Sequence, residues 1–206
     1  MNTLVWLFRN IIGDITSPYS YVDLKIFHAL DAAIDQYSRI CGLWTEEDVT
    51  ITANNITNGY FTLSRRPVLI DEEYTWMQIL GENKVAIIGS GITPTTIRIR
   101  YKAGYPKFYG TDKTDEQMGL IAKDAYLPIC LYALGVYFKE SGIKNISTGA
   151  TGNIKRLKEE NIEIEYGFDG QLMSEVSSPR QAMEEATKLM RKLPNAQSIF
   201  FSTQVR

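Results

Sequence analysis

His28 is the only histidine in the chain, and Cys41 and Cys130 are the only cysteines. A serine or cysteine nucleophile needs a base beside it, and here that base would have to be His28. It stands next to Phe27 in a helical pattern with no catalytic signature around it. So few imidazoles and thiols argue against a zinc centre of the usual kind. The acidic clusters "EED" at 46–48 and "DEEY" at 71–74 read as solvated turn charge, with only weak affinity for a divalent ion. "GSGITP" at 89–94 holds two glycines but opens no helix, so it reads as a turn and not as a phosphate loop. The expectation is a protein without catalytic residues, metal or cofactor.

The cationic residues are more patterned. Three basic spots occur: Arg65-Arg66, Arg98-Arg100-Lys102 and Lys155-Arg156-Lys158, with Phe61 and Tyr101 near two of them. In "IRIRYKAGYP" the apolar Ile97, Ile99 and Tyr101 alternate with Arg98, Arg100 and Lys102, the two-residue period of a strand with one cationic face. Net charge is −2, from 22 basic and 24 acidic residues. That balance excludes a surface that grips duplex DNA or an anionic membrane as a whole, and leaves room for a local patch.

These residues need elements to hold them. Leu4, Leu7, Phe8, Ile11 and Ile12 predict a short helix over 3–13, stopped at Gly13. "DITSPYS" is a connector, and Ser20 with Asp23 has capping-box spacing. Phe27, Leu30, Ile34, Tyr37, Cys41 and Trp44 then form one apolar seam, predicting a helix over 21–44 that buries against another helix. Lys25, Asp31, Asp35 and Arg39 fall on its opposite side. From Asp48 the period becomes two, and a β insertion over 48–101 follows, read as an antiparallel meander of about five strands. Asn58-Gly59 reads as the turn of a tight hairpin within it.

Thr114 and Gln117 have capping-box spacing, and apolar residues run on to Phe138, predicting a helix over 114–141 that Pro128 either kinks or restarts. Gly142, Ile143, Gly149 and Gly152 lie in a Gly/Ser/Thr/Asn loop suited to ordering on assembly. Ile162, Ile164 and Tyr166 alternate as an edge strand or extended arm. Ser178-Pro179 predicts the start of a helix over 179–192. The last segment is apolar: Ile199, Phe200, Phe201 and Val205 form a candidate arm for docking on a partner. The first residues lack a cationic start and a cleavage site, and no run of about 18 apolar residues exists, so neither a targeting signal nor a membrane span is expected. Two lone thiols fit a reducing compartment and packing in a core.

The fold class is therefore α+β: an antiparallel helical bundle with an inserted antiparallel β-meander and an extended C-terminal arm bearing a short helix. Residues 1–166 form the main domain and 167–206 a C-terminal extension. Amphipathic helices, strands and arms of this kind suit pairing with other chains.

The order of these elements resembles the head–tail connector, or adaptor, proteins of tailed bacteriophages. "LFRNIIGDITSPYSYVDLKIFHALDAAIDQY", "IRIRYKAGYP" and "LPICLYALGVYFKESGIKNISTGATGN" carry the likeness, over roughly residues 5–166. None of the three is a catalytic fingerprint, and the segment after 167 has no counterpart. The resemblance implies a virion structural protein: a ring, often of twelve copies, below the portal of a filled capsid, with tail or neck proteins on its other face and DNA passing through unread. It implies assembly in the host cytoplasm and residence at the virion neck. Arg98, Arg100 and Lys102 would then face a neighbouring subunit or the channel. Another neck or tail-completion ring is the alternative, and a small-ligand module or enzyme a more distant one.

Overall fold

The computed structural model describes residues 2–14, 22–89, 91–119, 121–142, 156–159, 162–165 and 178–193. The chain is α+β, and among the described residues every strand pairing is antiparallel. It divides into two units, Met1–Ile34 with Lys107–Met190 and Asp35–Pro106 with Arg191–Arg206. Among the described residues no helix is long and apolar enough to cross a membrane.

In the first unit, helix α1 runs Thr3–Ile11. The Asn2 side chain accepts from the Leu4 N–H, satisfying one of the donors that a helix start leaves without an internal partner. Leu4, Leu7, Phe8 and Ile11 are buried, as their spacing requires, and Gly13 at φ +75° takes the chain out of the helix. Arg9 in mid-helix is buried too, and its guanidinium is ion-paired with Asp14 and Asp23. Burial of an arginine is tolerated only with such partners.

Helix α2 spans Asp23–Cys41. Within the first unit, Phe27 stacks on Phe108, centroids 5.4 Å apart. Asp31, expected on the solvated side, is buried instead. Its carboxylate accepts from the Phe108 and Tyr109 N–H groups at 2.6 and 2.8 Å. Those two bonds hold Tyr109 in the left-handed region at φ 53°, strained for a side chain of that size. Burial raises the Asp31 pKa above the ordinary carboxylate value despite the two N–H donors.

The helix read over 114–141 is three pieces: α4 at Asp115–Met118, a 3-10 turn at Lys123–Ala125, and α5 at Tyr126–Glu140. The Thr114–Gln117 capping box forms as expected. Pro128 is the third residue of α5, within the first turn, where its missing N–H costs no helical bond. Pro128 thus restarts the helix, the second of the two outcomes its position allowed. Leu127, Ile129, Cys130, Leu131, Ala133, Leu134 and Tyr137 are all buried. The Cys130 thiol donates to the Leu4 carbonyl, and full burial pushes its pKa far up, which makes it a packing residue. Helix α6, Pro179–Lys192, starts where Ser178-Pro179 predicted, with the Ser178 hydroxyl accepting from the Gln181 N–H. It buries Pro179, Ala182, Ala186 and Met190, and it packs at Gly135 of α5. Strands β7, Arg156–Glu159, and β8, Ile162–Glu165, form a two-stranded sheet.

The second unit holds the two three-stranded sheets. Strands β1 (Leu43–Ile51), β6 (Thr95–Ala103) and β3 (Pro67–Ile70) form one sheet in the order β1-β6-β3. Strands β2 (Tyr60–Thr62), β5 (Lys84–Ile87) and β4 (Met77–Gly81) form the other in the order β2-β5-β4. This corrects the expected meander, since within these two sheets, among the described residues, only β4 and β5 are both sequence and sheet neighbours. The reason lies in β1. It begins at Leu43, not 48, and has nine residues. Only the nine-residue β6 matches it in length, so the two pair from Leu43↔Ala103 to Ile51↔Thr95. Trp44 accordingly sits in β1 and not at the end of the helical seam. One cluster of Val49, Ile51, Phe61, Leu63, Met77, Val85, Ile99, Tyr101 and Ala103 is the core of both sheets.

Asn58-Gly59 is not a hairpin turn. Thr52 and Asn55 form a capping box that starts a short helix α3, Ala53–Asn58, and Gly59 at φ +77° ends it. The same tolerance of left-handed backbone that suits a type I′ turn suits the residue closing a helix.

Candidate interaction surface

Strand β6 alternates as its sequence predicts. Ile99 and Tyr101 are fully buried in the core, and Ile97 packs against it. On the Tyr101 side, Glu47 of β1 accepts from the Tyr101 hydroxyl at 2.9 Å and from the Ser64 N–H at 3.0 Å.

The three cations behave differently from one another. Asp48 lies opposite Arg98 in the ladder, and Glu46 opposite Arg100. The Arg98 guanidinium bonds diagonally to the Glu46 carboxylate at 3.0 Å, with the arginine side chain 71% exposed. Arg100 lies over the Trp44 ring, 5.1 Å from its centroid, and 4.0 Å from the Asp71 carboxylate. Both backbone carbonyls are used: Arg98 O accepts from the Tyr74 hydroxyl and Arg100 O from the Asp71 N–H.

Lys102 is 2% exposed and does not belong to a surface patch. Its ammonium donates to the carbonyls of Arg39 and Ile40 at 2.6 and 2.9 Å. Those carbonyls belong to the last turn of α2, where helical acceptors lack internal donors and the helix dipole favours a cation. Burial holds its pKa below the ordinary lysine value. Beside it, Arg66 donates to Tyr105 O and the Ser38 hydroxyl and pairs with Asp35.

Replacing Lys102 with Met strands two carbonyls, at about 1–3 kcal/mol for each left unsatisfied. The pH dependence has a definite sign. With the folded pKa below the unfolded 10.5, the unfolded chain binds more protons between the two values. The stability margin of the native chain over Lys102→Met therefore widens as pH rises through that window towards the unfolded value of 10.5. Urea melts of both proteins across the range check it; a margin that narrows with rising pH contradicts it.

The acids of β1 are what sequence reading missed. "EED" reads along the chain as turn charge, yet Glu46 and Asp48 share the face of β6 that carries Arg98 and Arg100. The period of two in fact runs back through Trp44, Glu46, Asp48 and Thr50, and that alternation was the available signal. His28 is exposed and lies 3.2 Å from the Glu140 carboxylate. Among the described residues no group of three or more His, Cys, Asp or Glu side chains could hold a metal ion. Ile199, Phe200, Phe201 and Val205 of the arm, and Ile143, Gly149 and Gly152 of the loop, lie outside the described residues. Gly142 is described: at φ +72°, it donates its N–H to Lys139 O and closes α5.

What this surface offers is a strand face of balanced charge with one well-exposed arginine, suited to another polar protein surface and poorly suited to unscreened phosphate. No protein-family model matches the chain, and no curated protein matches it.

Proposed function

We propose that this chain is the subunit of an oligomeric ring that sits on the portal of a tailed bacteriophage capsid, joins capsid to tail, and lets DNA pass. The finer fold that goes with this reading is an antiparallel helical bundle carrying a β domain. What supports it is the order of elements: a short helix, a longer one, a β unit of six strands, and then a helix restarted at Pro128. That is the order in the quoted stretches that resemble the connector family. The charge on β6 fits the role. Arg98 and Arg100 are balanced by Glu46 and Asp71 within the chain, so the strand can face a neighbouring copy without a large net field.

The test is electron microscopy of the purified protein mixed with its portal. Rings seated on the portal, absent without the protein, are the expected result. Particles assembled without this chain that still join tails and retain their genome would overturn the reading.

A further inference from the structure

Tyr109 is held at a cost that its own packing does not offset. It has φ +53° and is followed by Gly110 at φ +77°. A glycine takes that first conformation without strain, and a tyrosine does not. Asp31 is buried, and its carboxylate accepts from the Phe108 and Tyr109 N–H groups. Burying a carboxylate to hold two backbone donors is itself unfavourable. Yet Tyr109 remains 47% exposed, so burial of its ring compensates little. Strain kept without a gain in packing points to a contact made outside the chain.

The surroundings of the ring say what kind of contact. The Lys107 and Lys113 ammonium groups lie 5.6 and 4.9 Å from its centroid, and the Lys113 ammonium also donates to the Lys107 carbonyl. The ring and that bond keep two cations near one another. Leu24, 62% exposed, lies against Gly110, its Cδ1 3.1 Å from where a Cβ would stand. An exposed tyrosine with two cations and an aliphatic neighbour suits a protein contact, and its charge suits an acidic counterpart. This chain carries one. In the turn after β3, Glu72 and Glu73 are adjacent and exposed, close in sequence to Leu69, itself 47% exposed. Neither glutamate pairs with a cation among the described residues, whereas Glu46, Glu184 and Glu185 each do.

We propose that Tyr109, with Lys107 and Lys113, docks on the Glu72–Glu73 turn of a second copy, with Leu24 meeting Leu69. Each side sets two like charges and one exposed leucine against their complement. The same surface docked on itself would set lysine against lysine, which an interface disfavours. The two surfaces differ, so the contact is heterologous and repeats from copy to copy until a ring closes. The inference rests on the ring reading above and names the seam between its subunits.

Sedimentation of full-length variants, alone and with portal, tests it. Lys107→Glu with Lys113→Glu should weaken self-association about tenfold, and Glu72→Lys with Glu73→Lys should do the same. One chain carrying all four changes should recover it. Tyr109→Gly should melt no lower than the native chain, because it sheds the left-handed strain, and yet associate about tenfold more weakly. A one-sided reversal that assembles like the native chain, or a four-fold variant that does not recover, overturns the seam and leaves the ring reading standing. Tyr109→Gly that assembles normally, or melts below the native chain, overturns it too. Reversal at Lys107 and Lys113 that abolishes portal binding but keeps self-association places this surface on the portal, and also overturns the seam. A native chain that stays monomeric alone and with portal removes the ring reading, and the seam with it.

Discussion

Gly135→Leu unseats α6 and lowers the melting temperature by roughly 6–12 °C. Gly135 lies in the middle of α5, where Ala is ordinarily worth about 1 kcal/mol more than Gly. Here that preference is reversed by what the hydrogen faces. A Cβ at this position would stand 2.5 Å from the Pro179 carbonyl oxygen and 2.6 Å from the Met183 Cγ. The nearest obstacle is backbone, at the first residue of α6, and cannot rotate away. Relief comes only by moving α6 off α5, which exposes Ala182, Ala186 and Met190, all fully buried in the native chain. Overpacking of this kind costs about 3 kcal/mol, and for a chain of this length each kcal/mol is worth roughly 2–4 °C. Amide exchange locates the effect: protection is lost across 179–192 and kept across β1 and β6. A variant that melts with the native chain and keeps α6 protected would show that the helices do not depend on that close approach. Gly135→Ala should fall between the two, because the offending atom is the Cβ itself.

The second large effect is at the end of α2. Gly42→Ala should cost about 3 kcal/mol or more, with a urea midpoint well below native. Gly42 is the single residue between α2 and β1, and its N–H donates to Ser38 O at 2.8 Å. An added Cβ would lie 2.3 Å from Ser38 O and 2.6 Å from Ala103 O, both backbone atoms. Its φ is not the obstacle; close approach of two carbonyls is. The same turn of helix is the one that the Lys102 ammonium caps, so a shift there also breaks those bonds. Gly59→Ala is the informative comparison. Gly59 has φ +77° with open space around it, so its alanine carries only the left-handed penalty of about 1–2 kcal/mol. If Gly42→Ala costs no more than Gly59→Ala, the close approach at the α2–β1 junction is not limiting.

Both predictions concern glycines whose importance is invisible along the chain. The sequence contains 15 glycines, and nothing local separates Gly42 or Gly135 from the rest. By contrast, α1 and α6, a break at Pro128 and the inward face of β6 were legible. Each depends on a period of two or 3.6 residues, or on a cap within four residues, and such signals are complete within one segment.

What the sequence determined by itself was which residues of each segment share a face: Leu4, Leu7 and Phe8 on α1, Ile99 and Tyr101 on β6, Ala186 and Met190 on α6. Tertiary structure alone decided what those faces meet. The ladder from Leu43 to Ile51 against β6 drew Trp44 out of a helical seam and set Glu46 and Asp48 against Arg98 and Arg100, some fifty residues away. It also carried Lys102 from an apparently cationic face onto the carbonyls of α2. The physical reason is that charge and hydrogen-bonding capacity are properties of a residue, whereas their satisfaction is a property of a pair. The pair exists only once strands distant in sequence have chosen their register.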